Sequence, residues 1–96
     1  MIFHVVIEVR IPPTVEPETV QRLEALEHQR AAELQRAGKW KHLWRIVGRF
    51  ANSSIFEVES NDELHALLES LPLYPYMSVE VTALCHHPGA LPPSAK

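Results

Sequence analysis

The sequence predicts an α+β domain with the element order β-α-β-β-α-β, and three observations carry that prediction. Apolar and polar residues alternate at period 2 in residues 2–11, through Gly38–Val58 and again from Tyr76 to Leu84, the spacing that sends successive side chains to opposite faces of a sheet. Between these stretches, residues 17–37 and residues 60–71 repeat apolar positions at helical spacing. Pro12-Pro13, Gly38 and Pro72 stand where one pattern gives way to the next.

Composition narrows the class further. Ninety-six residues make one domain, large enough for a core and small enough to gain from oligomerisation. An apolar fraction of 46% with 22% charged residues is that of a folded globular chain rather than a disordered one. A net charge of −3 argues against nucleic-acid binding, which usually shows a basic face. No apolar run reaches membrane-spanning length, so no membrane partner is expected, and the N-terminal MIFHVVIEVRI alternates rather than forming a signal peptide. Cys85 is the only cysteine, which excludes an intrachain disulfide and fits a reduced, cytoplasmic setting. Cys85-His86-His87 lacks a spaced set of further ligands, so no metal site is predicted there.

In the first strand Phe3, Val5, Ile7, Val9 and Ile11 share one face, committed to the core, and His4, Val6, Glu8 and Arg10 share the other. Pro12 and Pro13 end it by removing ladder donors and fixing φ. Residues 17–37 then carry strong helix formers, with Pro17 suited to the first turn and Gly38 a natural terminator. Glu16 is a poor N-cap, so Thr14 or an irregular entry is expected to serve. Val20, Leu23, Leu26, Ala31 and Leu34 form the apolar stripe, and Glu27 lies inside it.

Gly38–Val58 (GKWKHLWRIVGRFANSSIFEV) reads as two strands joined near Gly48. Simple alternation puts Trp40, His42, Trp44 and Ile46 on one side of the first, with Lys41, Leu43, Arg45 and Val47 on the other. Asn52, Ser54, Phe56 and Val58 share a face of the second. Ser60-Asn61-Asp62-Glu63 is a capping box opening the second helix, with Leu64, Leu67, Leu68 and Leu71 facing the core. In the last strand Met77, Val79, Val81 and Ala83 lie opposite Ser78, Glu80 and Thr82. The closing HHPGALPPSAK is too rich in proline and small residues to fold alone.

This order is the split βαβ, or ferredoxin-like, arrangement: a four-stranded antiparallel sheet with two helices on one face. The domain is expected to cover residues 1–84, with residues 85–96 as a C-terminal segment that is either a frayed tail or an arm laid on a neighbouring subunit. The uncovered sheet face, which carries Val6 and in this reading Leu43, is expected to meet another subunit's sheet in the manner of a dimeric α/β barrel.

Glu27 is the sharpest chemical signal. A carboxylate within a core-facing stripe loses hydration, which raises its pKa and suits it to removing a proton beside a carbonyl. The alternative is an edge-of-stripe glutamate that reaches solvent or pairs with Arg30. Asn52 and Ser54 are short polar side chains opening an otherwise apolar strand face, where buried polar groups need partners. Either they donate to an oxygen bearing developing negative charge, or they satisfy local turns. His42, Trp44 and Arg45 are the candidate pocket lining, with Arg45 or Lys41 holding an anionic substrate; alternatively Trp40 and Trp44 are core or interface residues. His4 reads as a satisfied strand histidine.

The same residues carry a family resemblance. MIFHV at the N-terminus, KHLWRI, ANSSIF and LPLYPYM, within a match that covers residues 1 to about 88, resemble the muconolactone Δ-isomerases of bacterial catechol degradation, with WKHLWRIVGRFANSSIF the most specific stretch. The resemblance implies a cofactor-independent isomerase of ferredoxin-like fold, assembled as a ring-shaped homodecamer of dimers whose C-terminal segments cross onto neighbours. The implied reaction converts muconolactone, a lactone carboxylate, to 3-oxoadipate enol-lactone by moving one proton. The family's base falls on Glu27 and its polar pocket residues on Asn52 and Ser54. The resemblance also implies a substrate-binding place for Phe50, where the family often has tyrosine, so any hydrogen bond from that hydroxyl is lost. A chloromuconolactone dehalogenase on the same scaffold and a non-catalytic small-molecule-binding module are the competing readings.

Overall fold

The computed structural model describes residues 1–92. Its elements are β1 (Ile2–Val9), α1 (Pro17–Arg36), β2 (Trp40–Arg45), β3 (Ala51–Glu57), α2 (Asn61–Glu69) and β4 (Met77–Leu84), with a short 3₁₀ turn at Tyr74–Tyr76. The strands form one antiparallel sheet in the order β2-β3-β1-β4. This is the expected ferredoxin-like α+β arrangement, with β1 and β3 central and β2 and β4 at the edges.

The sheet register fixes which side chains meet the helices. Phe3, Val5 and Ile7 of β1 stand opposite Phe56, Ser54 and Asn52 of β3, and opposite Ala83, Val81 and Val79 of β4. Directly paired residues share a face, so these rows make the helix-facing side of the sheet, where Val81 (48% exposed) and Ala83 are left uncovered. Phe3, Val5, Ile7 and Phe56 are buried, and Ala31, Leu34, Leu64, Leu68 and Leu71 cover them from above. Leu26, expected in the α1 stripe, is instead 45% exposed, so the buried seam of α1 is narrower than its apolar spacing implies.

Helix ends follow their local chemistry. Glu16 precedes α1 in extended conformation without a side-chain cap, and Pro17 opens the helix. At the other end Gly38 adopts φ +76°, its N–H donates to Gln35 O and the Lys39 N–H donates to Leu34 O. These are the two bonds of a Schellman motif, and they turn the chain directly into β2. The capping box of α2 forms with one change. The Glu63 N–H donates to Ser60 Oγ at 3.0 Å, while the Glu63 carboxylate receives the N–H of Glu59 rather than that of Ser60.

The β2 strand departs from simple alternation. Trp40 pairs with Phe56 but His42 pairs with Ile55, so Lys41 is an extra residue opposite none of β3's. This bulge shifts every later residue of β2 to the other face. Trp40 stays in the core, stacked on Phe56 with ring centroids 4.7 Å apart. Leu43 and Arg45, opposite Ser54 and Asn52, join the helix side, while His42 and Trp44 move to the open face. The assignments of Leu43 to the open face and of Trp40 and Trp44 to a common face are therefore corrected.

The open face holds a hydrogen bond of 2.7 Å between His4 Nε2 and Ser53 Oγ, and a parallel stack of His42 on Trp44 at 5.0 Å. Residues 85–92 follow β4 as exposed chain outside any helix or strand. Residues 93–96, the end of the expected C-terminal arm, lie outside the described residues.

Candidate active site

A cavity of about 560 Å³ opens between the β2 end of the sheet and α1. The sheet contributes Ile7 and Val9 from β1, Trp40, Leu43 and Arg45 from β2, and Ala51 and Asn52 from β3. Helix α1 contributes Glu24, Glu27, His28 and Ala31, the segment after α2 contributes Leu73, and β4 contributes its first residue, Met77. Ile11 and Phe50 complete the rim. Mostly apolar walls with a few convergent polar groups are what a small-molecule site requires.

Glu27 is half-buried on the cavity wall, and its Oε1 accepts the backbone N–H of Leu73 at 3.0 Å. Burial pushes its carboxyl above the usual carboxylate range; the Leu73 N–H and the neighbouring His28 oppose the shift without cancelling it. The alternative pairing with Arg30 does not occur, because the Arg30 Nε donates to Ser70 Oγ at 3.0 Å. One Glu27 oxygen is thus anchored, and the carboxylate is both oriented and made more basic than an exposed glutamate.

Asn52 stands on β3 opposite Arg45 and lines the same cavity. Ser54, two residues along the same face, is fully buried and donates its hydroxyl to Asn52 Oδ1 at 2.7 Å. Ser54 is not among the lining residues, so it reaches the site through Asn52. Arg45 is exposed at the rim; its guanidinium lies 5.8 Å from the centroid of the Phe50 ring, and its Nη1 donates to Arg49 O at 3.3 Å. Phe50 itself is 81% exposed. Lys41, the other cation weighed for an anionic substrate, is 3.5 Å from Glu57 and outside the lining.

The structure therefore brings together Glu27, Asn52, Arg45 and Phe50 from the candidate set. It does not bring His42 or Trp44 to them: the bulge at Lys41 places both on the opposite sheet face, a correction to their expected place in the lining. Glu24, His28, Leu43, Leu73 and Met77 line the cavity without having been singled out. A signal for the α1 members was present, since Glu24, Glu27, His28 and Ala31 follow i, i+3, i+4, i+7 spacing. That row is mostly polar, so a search for apolar stripes passes over it.

Fold and site together define a small ferredoxin-like α+β protein with a desolvated carboxylate on the wall of an apolar cavity. The chain matches the family model described as muconolactone delta-isomerase over residues 1–90. It is 50% identical over 91 residues to muconolactone Delta-isomerase 1 of Acinetobacter lwoffii, covering 95% of each chain, and 49% identical over 86 residues to the Rhodococcus opacus muconolactone Delta-isomerase, covering 90% of this chain and 92% of that one. A crystal structure of muconolactone isomerase at 3.3 Å superposes with a TM-score of 0.90 at 47% identity, covering 95% of each chain. The chain belongs to the muconolactone Δ-isomerase family.

Proposed function

We propose that this protein is a muconolactone Δ-isomerase, converting muconolactone to 3-oxoadipate enol-lactone by an intramolecular proton shift that moves a ring C=C bond. The single observation that carries the mechanism is the Glu27 carboxylate, half-buried on the cavity wall with one oxygen tied to the Leu73 N–H. Glu27 removes the ring proton γ to the lactone carbonyl, and the electron pair released spreads into a dienolate with charge on the carbonyl oxygen. The protonated Glu27 returns the same proton to the α carbon, restoring the carbonyl and leaving the double bond between the β and γ carbons. Atoms and charge balance without a cofactor in this sequence. A single base suffices because both carbons lie in one small ring.

Asn52 supplies an amide donor to the oxygen on which charge develops, and Arg45 at the rim meets the side-chain carboxylate of the substrate. Phe50, carrying no hydroxyl, acts as a flat platform beneath Arg45. The same reading includes a homo-oligomer, a decamer built from dimers, with residues 85–96 as an arm on a neighbour. Support comes from Trp44, 59% exposed on the uncovered sheet face, and from Leu91, 84% exposed beyond β4. A cytoplasmic location fits an exposed free Cys85, which persists as a thiol in a reducing compartment.

Incubating the purified protein with muconolactone and following the ultraviolet absorbance change tests the function. Turnover absent at every enzyme concentration would refute it.

A further inference from the structure

We propose that Ser54 is a positioning residue: its hydroxyl fixes the Asn52 side-chain amide so that the NH₂ end, and not the carbonyl end, is free to serve the cavity. The inference rests on the reading of Asn52 as the donor to the lactone oxygen and says how that donor is held.

The argument starts from strand geometry. Asn52 and Ser54 are two residues apart on β3, so their side chains leave the same face of the sheet as immediate neighbours. Ser54 has no exposed surface, and Asn52, next to it, is half-buried and lines the cavity. The 2.7 Å bond from Ser54 Oγ to Asn52 Oδ1 is the sole hydrogen bond of that hydroxyl among the described residues.

An asparagine amide has two ends of opposite polarity, and rotation by half a turn exchanges them. In the rotated form the NH₂ group would face Ser54 Oγ, and the hydroxyl would have to turn and accept. Its own proton would then be buried without an acceptor, a strongly disfavoured state. The buried hydroxyl thus selects one of two amide orientations, the one in which Oδ1 is occupied and both Nδ2 protons remain for other partners. A donor oriented in the folded state needs no reorganisation when charge develops on the substrate.

The test is a cycle of Ser54→Ala and Asn52→Ala, singly and together, with Ser54→Cys as a near-isosteric variant that keeps the buried volume filled. Steady-state isomerisation of muconolactone is the readout. Ser54→Ala and Ser54→Cys are expected to lower kcat on the order of tenfold, a fraction of the roughly hundredfold or greater loss typical when an oxyanion donor is removed. KM is expected to stay within about twofold, since the contact matters in the transition state. In the Asn52→Ala background, changing Ser54 is expected to alter kcat by less than about twofold, because a positioning residue has nothing left to position.

Losses that multiply in the double variant would overturn the proposal, as would Ser54 variants with unchanged kcat or a change in KM alone. Near-normal kcat in Asn52→Ala would instead overturn the donor reading of Asn52 itself, and the positioning role with it. The two failures are thus told apart by the Asn52 single variant.

Discussion

The Glu27 carboxylate accepts the Leu73 backbone N–H at 3.0 Å, joining the middle of α1 to the segment after α2 across 46 residues of sequence. The bond does two things at once. It fixes the direction of a side chain that would otherwise sample several rotamers, and it compensates part of the cost of removing a charge from water. It also ties the carboxylate to the LPLYPYM segment, where Leu73 is buried and the 3₁₀ turn carries the chain into β4. The Glu27 carboxylate is therefore held by both halves of the fold, and its environment depends on their packing together.

Replacing Glu27 by glutamine tests the base directly. Glutamine keeps the shape and leaves a carbonyl oxygen to accept the Leu73 N–H, but it cannot take a proton from carbon. Turnover of muconolactone is expected to fall by about 10²–10⁴-fold, the usual contribution of a positioned general base, with an unchanged circular dichroism spectrum. Turnover close to that of the native protein would exclude Glu27 as the base.

The raised pKa of Glu27 gives two pH dependences of known sign. The proposed base acts only when ionised, so kcat/KM is expected to decline as pH falls, with the half-point above that of an exposed glutamate. Stability runs the other way. Between the unfolded and folded pKa values the native state holds more protons than the unfolded chain, so the Glu27 contribution falls as pH rises through that window and stays unfavourable above it. Glu27→Gln is therefore expected to be more stable than the native protein at neutral pH, with the difference vanishing once both Glu27 pKa values are passed on the acid side. Urea titrations of both proteins at several pH values check this; a difference that grows toward acid would contradict the burial argument.

Much of the fold was legible because alternation at two spacings and a few punctuating residues dictate it. The core face of β1, the capping box at Ser60 and the turn at Gly38 all follow from side-chain chemistry within a few residues. The site was legible where one residue broke the pattern around it: Glu27 among apolar neighbours, and Asn52 at the head of an apolar strand face. The face assignment of β2 was not legible, since one extra residue at Lys41 inverts everything after it and no local signal distinguishes that lysine. His42 and Trp44 were misplaced for this reason, and Leu43 and Arg45 gained their cavity positions by the same shift. The 46-residue link from Glu27 to Leu73 was also beyond reach, because sequence periodicity reports faces and not which distant loop closes over them.

Arg45 should govern substrate binding more than turnover. It stands exposed at the cavity rim, and its charge complements an anionic substituent. Arg45→Gln is expected to raise KM roughly 10- to 100-fold, corresponding to the about 1.5–3 kcal/mol of a charge-assisted hydrogen bond, with kcat within a few-fold. The methyl ester of muconolactone, lacking the charge, should show almost no difference between the two proteins. An ester as sensitive to the substitution as the free acid would assign the effect to packing around Phe50 instead.

Gly38 shows how the scaffold sets up the bulged strand that shapes the cavity. Its φ of +76° is the left-handed conformation that closes α1, and a Cβ built there meets nothing nearer than Lys41 Nζ at 3.8 Å. A substitution at this position is therefore penalised through the backbone and not through a clash. Gly38→Ala is expected to cost about 1–2 kcal/mol, and Gly38→Asn clearly less, because asparagine tolerates this region better than other L-residues. For a domain of this size each kcal/mol lowers Tm by roughly 4–8 °C, so thermal unfolding separates the two variants. If alanine and asparagine destabilised equally, contacts of the added side chain would be responsible, and the helix-ending conformation would not be what fixes the entry into β2.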